Sequence, residues 1–322
     1  MNWTTKKDAI IFSPYFNDKL DIELISNYAK LIFCDIASHG SLFKKHNNDN
    51  RNSIFLGSIF NQEVNNLPES LTHLTFGKYF NQEVNNLPKS LTHLTFGKKF
   101  NQKVDNLPEL LIYLTFGFEF NQEINNLPQS LTHLTLSACF DQKVNNLPQN
   151  LTHLTLGFKF NEKVNALPQS LTHLTFGKSF NQEVNNLPQS LTHLTFGYKF
   201  NKRVDLPPNI KYLKLNCNNQ YLIDNLPDSI KELELNIFFN LELNNLPQSI
   251  CKIIFNKNSK YSAELNCLPN FIEFLQLPIR YDKKILQFPD KLNKIICYRR
   301  YKYVNDFAMY NVKYTYDTKS LE

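Results

Sequence analysis

Six of the eight histidines, His73, His93, His133, His153, His173 and His193, recur at multiples of 20 residues. Tyr113 fills the gap in the series and Tyr212 continues it. Imidazole can act as a general base, activate a nucleophile or ligate a metal. Each of these roles needs partners that the chain does not place nearby. There is no G-x-S-x-G elbow, P-loop, dinucleotide fingerprint or H-E-x-x-H pair. No Cys, Asp or Glu interleaves with the histidines to complete a tetrahedral site. Two readings remain for the row. One is a structural ladder of neutral imidazoles running beside Thr75, Thr95, Thr115, Thr135, Thr155, Thr175 and Thr195; the other is a ladder of metal ligands. The first is the simpler, so neither catalysis nor a cofactor is expected. Protonating imidazoles one strand apart should destabilise such an array below about pH 6.

The element that must position these side chains is a repeat. Residues 60–79, Phe-Asn-Gln-Glu-Val-Asn-Asn-Leu-Pro-Glu-Ser-Leu-Thr-His-Leu-Thr-Phe-Gly-Lys-Tyr, recur without insertion from Phe80, Phe100, Phe120, Phe140, Phe160 and Phe180. The Leu-Pro step persists at Leu226-Pro227, Leu246-Pro247 and Leu268-Pro269, and as Phe288-Pro289, so about twelve units span 60–298. Around Leu74 the pattern alternates: His73 out, Leu74 in, Thr75 out, Phe76 in. That predicts one short strand per unit, with Gly77 at the following turn. The Phe80–Pro88 segment has no helical period, and Asn85-Asn86-Leu87-Pro88 predicts a non-helical return. Twenty residues cannot bury a core alone, so neighbours must stack, pair their strands in parallel and share Leu and Phe ladders. Asn61, Asn81, Asn101, Asn121, Asn161, Asn181 and Asn201, with Asp141 as the substitute, read as a turn ladder satisfying backbone groups. Glu63, Glu83, Lys103, Glu123, Lys143, Lys163 and Glu183 interchange as a solvated face does.

Composition agrees with repetition. Among 322 residues there are 27 Phe, 43 Asn and 15 Pro, but 8 Gly and 2 Met. The net charge of +6 lies outside the regular array, because residues 60–199 hold ten Lys and ten Asp or Glu. No segment carries the basic stripe that neutralises many phosphates, so nucleic acid is not an expected partner. Arg299-Arg300-Tyr301-Lys302-Tyr303, the one basic-aromatic cluster, reads as a solvated edge. Six scattered cysteines, with no C-x-x-C, read as buried thiols in a reducing compartment. No secretory signal or membrane span is evident, and an intracellular, cytoplasmic location is expected.

The tandem Phe-Asn-Gln…Leu-Pro-x-Ser-Leu-Thr-His-Leu-Thr-Phe-Gly resembles the FNIP repeat, a relative of the leucine-rich repeat abundant in social amoebae and giant DNA viruses of amoebae. The resemblance implies a β-rich solenoid, a leucine-rich-repeat-like single-domain arc with one short parallel strand per unit and a non-helical convex side. It implies host cytoplasm if the protein is viral. It also implies a non-catalytic protein-interaction scaffold using the concave strand face, with no small-molecule substrate. Such proteins often carry an N-terminal F-box, which makes a ubiquitin-ligase adaptor the alternative. Residues 1–59 lack the F-box Leu-Pro-x-Glu opening, though residues 21–33 could form a short amphipathic helix. The domain reading is a cap of degenerate repeats at 1–59, seven regular repeats at 60–199, about five divergent repeats at 200–298 and a C-terminal cap at 299–322. Within 1–59, Leu31-Ile32-Phe33 and Ser53-Ile54-Phe55 line up with the repeat strand. Partner choice is expected at the histidine and tyrosine row and at Tyr212, Lys214, Glu232, Glu234, Lys252, Phe274 and Gln276, because only the divergent repeats vary outward.

Overall fold

The computed structural model describes residues 3–6, 9–12, 30–33, 53–55, 59–65, 67–298, 301–310 and 313–316. They fall into two compact units, 1–170 and 171–322. In the first unit β1 (Trp3–Lys6) pairs antiparallel with β2 (Ala9–Phe12). The strands that follow pair in parallel: β3 (Lys30–Phe33), β4 (Ser53–Phe55), β5 (His73–Thr75), β6 (His93–Thr95), β7 (Tyr113–Thr115), β8 (His133–Thr135) and β9 (His153–Thr155). The second unit is parallel throughout: β10 (His173–Thr175), β11 (His193–Phe196), β12 (Tyr212–Leu215), β13 (Glu232–Leu235), β14 (Lys252–Phe255), β15 (Phe274–Gln276), β16 (Lys294–Cys297) and β17 (Lys313–Tyr316). Equivalent residues face each other, His73 with His93 and Leu74 with Leu94. Each unit is therefore a β-solenoid, one strand to a coil.

Two turns close each coil. Leu71 N–H donates to Pro68 O at 3.0 Å, and Phe80 N–H donates to Gly77 O at 3.4 Å. The fixed φ of Pro68 starts the first turn. The glycine after the strand serves a different purpose from the turn preference read in the sequence. Gly97, Gly117, Gly157 and Gly197 all avoid the left-handed region, but a Cβ on Gly117 would stand 1.9 Å from the Gly97 carbonyl oxygen. At these four positions the preceding coil's carbonyl leaves no room for a side chain, whereas Ser137, at the equivalent place, fits one that donates to Phe120 O.

The asparagine ladder connects coils as expected. Asn81 N–H donates to Asn61 Oδ1 at 2.8 Å, and Asn101 and Asn121 repeat the bond at 2.9 and 2.8 Å. Asp141 both donates to Asn121 and accepts from Asn161. That explains why a carboxylate can replace this amide: the ladder bond is accepted by a side-chain oxygen, which Asp also has. Beneath lies a ladder of Phe60, Phe80, Phe100, Phe120, Phe140 and Phe160, all fully buried, with ring centroids 6.1–6.2 Å apart. Phe76, Phe96 and Phe116 interleave with it, each within 3.8 Å of the next coil's ring.

Several expectations are corrected. Lys30–Phe33 is a parallel strand, so the end of the proposed helix at 21–33 follows the repeat pattern instead; residues 21–29, and with them most of any F-box-like segment, lie outside the described residues. Among the described residues a short α-helix, α1 (Gln220–Asp224), interrupts the non-helical returns, capped by the Asn219 side chain accepting from Leu222 N–H at 3.4 Å. Tyr301 is core rather than solvated edge. It stacks on Tyr281 and Phe307 and donates to Lys283 O at 2.8 Å, extending the column through Phe239, Tyr261 and Tyr281. Of the described cysteines, all unpaired, only Cys217 and Cys297 are buried, while Cys267 is exposed.

Candidate interaction face

On each regular strand the central Leu is buried, and the flanking residues lie on the outer face. In the first unit His73, His93, Tyr113, His133 and His153 form one column there, with ring centroids 3.9, 4.4, 4.1 and 4.0 Å apart. Identical side chains on successive coils differ by the coil-to-coil step. That step is about 4 Å at this face and about 6 Å at the Phe ladder. The first unit's sheet therefore bends toward its histidine face. In the second unit His173 and His193 stack at 4.0 Å and Tyr212 follows at 5.5 Å.

The threonine that orders this column was missed in the sequence, where attention fell on Thr75 and its equivalents. It is the residue before each histidine. Thr92 Oγ1 lies 2.8 Å from His93 Nδ1 and donates to Thr72 O at 3.1 Å. Thr132, Thr152 and Thr192 repeat both contacts. A hydroxyl has one proton. With that proton given to the previous coil, Oγ1 accepts from Nδ1–H, which assigns the neutral Nδ1–H tautomer and leaves Nε2 unprotonated. The readable signal was co-variation between units: where His becomes Tyr113 or Tyr212, the preceding Thr becomes Ile112 or Lys211.

This geometry favours structure over coordination. Stacked, nearly parallel imidazoles hold their Nε2 lone pairs side by side and do not converge on one ion. Among the described residues no group of three or more His, Cys, Asp or Glu is placed to hold a metal. Burial first, then His73 and His133, hold His93 down to about 4. Burial and His153 lower His133 as well.

The divergent positions share the corresponding face of the second unit. Register places Tyr212, Glu232, Lys252, Phe274 and Lys294 in one column, and Lys214, Glu234, Ile254 and Gln276 in the next. Tyr212 donates to Glu234, which also pairs with Lys214. Glu232 pairs with Lys252 at 2.9 Å. Phe274 carries Lys252 and Lys294 at 5.6 and 5.4 Å from its ring centre, and Gln276 Nε2 donates to Phe255 O at 3.1 Å. The expected residues thus fall into two adjacent clusters, Tyr212–Glu234–Lys214 and Glu232–Lys252–Phe274, with Gln276 tied to the backbone. Glu63, Glu83, Glu123 and Glu183 sit exposed on the return side, apart from this face.

The profile of the FNIP Repeat matches successive pairs of coils from residue 60 to residue 258. The chain belongs to the FNIP repeat family. The chain is also similar to CroV588, a giant-virus protein described as a circular leucine-rich-repeat structure. That match has 31% identity and a TM-score of 0.68, and covers 94% of this chain and 58% of CroV588. The chain therefore spans little more than half the length of that relative. Weaker likenesses are to YopM from Yersinia enterocolitica (21% identity, TM-score 0.46, 76% of this chain and 64% of that one) and to the functional domain of InlJ from Listeria monocytogenes (13% identity, TM-score 0.48, 90% and 72%). No curated protein sequence matches significantly. The fold is a leucine-rich-repeat-like FNIP solenoid, a kind typically used for protein–protein interaction. Among the described residues no helix is long and apolar enough to cross a membrane.

Proposed function

We propose that this FNIP protein is a non-catalytic scaffold that captures a protein partner on the outer face of its strands, with selectivity held in the second unit. The supporting observation is the contrast between the two faces. Strands β5–β9 repeat His and Thr with one change, Tyr113, whereas β12–β16 present Tyr, Lys, Glu, Phe and Gln in two adjacent columns. A uniform ladder offers little to discriminate between partners, whereas a mixed charged and aromatic patch does. The imidazoles bond to Thr and stack on one another, which supports a binding role over a reacting one. Affinity capture from cell extract tests the reading, comparing wild type with a Tyr212→Ser/Lys252→Ser/Phe274→Ser variant. Specific proteins retained by wild type and lost from the variant support it. An identical retained set on both refutes it.

A further inference from the structure

The turns at the C-terminal ends of the second unit's strands carry a second feature, separate from the strand face. After β10–β15 these turns comprise residues 177–179, 197–199, 216–219, 236–238, 256–258 and 277–280, and they contain no Asp or Glu. At their centre Tyr198 and Phe238 lie 5.0 Å apart, tilted by 59°, and are 44% and 56% exposed beside Ile237. Lys178 stands 5.6 Å from the Tyr198 ring centre. Lys199 flanks it on one side, and Lys257 and Arg280, both exposed, on the other. Summed charge along the sequence hides this arrangement, because the acidic residues of the same coils sit on the strands, the returns and the opposite turns.

The turns are held in place by coil-to-coil bonds. Lys199 N–H donates to Lys178 O at 3.0 Å, Ile279 N–H to Lys257 O at 2.8 Å, and Asn218 Nδ2 to Phe238 O at 2.9 Å. An exposed aromatic centre on a fixed backbone, rimmed by cations of one sign, suits an anchor-and-rim contact. We propose that this edge docks an acidic peptide segment: one or two apolar side chains seat on Tyr198, Ile237 and Phe238, and flanking carboxylates meet the lysines and the arginine. The proposal rests on the reading of the protein as a protein-binding scaffold, and it names the chemistry of one partner segment.

The probe is a fluorescein-labelled peptide, Glu-Glu-Asp-Leu-Phe-Asp-Glu-Glu, titrated with the full chain by fluorescence anisotropy. Saturable binding that weakens with salt is expected. Tyr198→Ala/Phe238→Ala should weaken it about tenfold or more, as losing a central aromatic anchor does. Lys199→Gln/Lys257→Gln/Arg280→Gln should weaken it and flatten the salt dependence. These side chains are exposed, so the variants should keep wild-type circular dichroism. The Lys252→Ser/Phe274→Ser strand-face variant should bind the peptide as wild type does, which separates this edge from the face proposed above. No binding would overturn the proposal, as would equal binding by the aromatic variant or loss in the strand-face variant. Equally tight binding of the peptide with Ala-Ala at its centre would do so too, since charge alone would then suffice. Preferential binding of polyuridylate or of phosphatidylserine vesicles would assign the edge to a different ligand.

Discussion

Lowering the pH from 7.5 to 5.0 should destabilise this protein through its stacked histidines, and replacing His93 should remove a measurable part of that loss. The folded imidazole is held down at about 4, whereas an unfolded histidine titrates near 6.5. The unfolded chain therefore binds more protons between those values, so stability falls as pH drops below about 6.5 and levels off below about 4. At pH 5.0 the full difference would correspond to about 2 kcal/mol. His93 is half-buried, so solvent screening reduces this to about 1 kcal/mol. That corresponds to about 1–2 °C in Tm for a chain of this size. His133 is lowered in the same direction. The assay is the change in Tm between pH 7.5 and 5.0 for wild type and for His93→Gln/His133→Gln. Carboxylates protonate equally in both, so the difference isolates the ladder. A variant that loses as much stability as wild type on acidification would refute the reasoning. Imidazole NMR offers a direct check, because His93 should titrate well below a free histidine.

Other perturbations test the coil-to-coil contacts. Gly117→Ala should destabilise by about 2–3 kcal/mol through overpacking against the Gly97 carbonyl; a gain in Tm, as expected where backbone entropy alone decides, would contradict the close approach. Asn101→Ala leaves the Asn121 N–H without its acceptor and should cost about 1–2 kcal/mol in a denaturation midpoint. Asn101→Asp should cost far less, as Asp141 already shows by accepting from Asn161 at 2.8 Å. Phe120→Ala should cost about 3–5 kcal/mol, since the ring is fully buried between Phe100 and Phe140.

The coil itself was legible because its signal is repeated. Alternation around Leu74, the Leu-Pro step and the 20-residue spacing each recur often enough to place strand, turn and core, and Leu-Thr beside His located the outer face. Other features could not be read in this way, and each had a physical reason. The tautomer-fixing role of Thr92 depends on a bond to the preceding coil, which no single unit contains. Gly117 looks like a turn residue until the neighbouring carbonyl is placed beside it. Tyr301 sits in a charged sequence, yet register carries it onto Tyr281 in the core. Tyr198 and Phe238, 40 residues apart in the sequence, come within 5.0 Å on turns two coils apart. Charge summed along the chain was similarly misleading, because adjacent acidic and basic residues point to different edges of the solenoid.

The central claim is that the outer strand face meets the partner. Site-specific photocrosslinking in cell extract tests it most directly, with the photoreactive residue placed in turn at His133, Phe274 and Gln276 on the face and at Glu123 and Glu183 on the return side. The account predicts discrete protein adducts from the face positions, strongest at Phe274 and Gln276, and none from the return side. Adducts confined to Glu123 and Glu183 would contradict it.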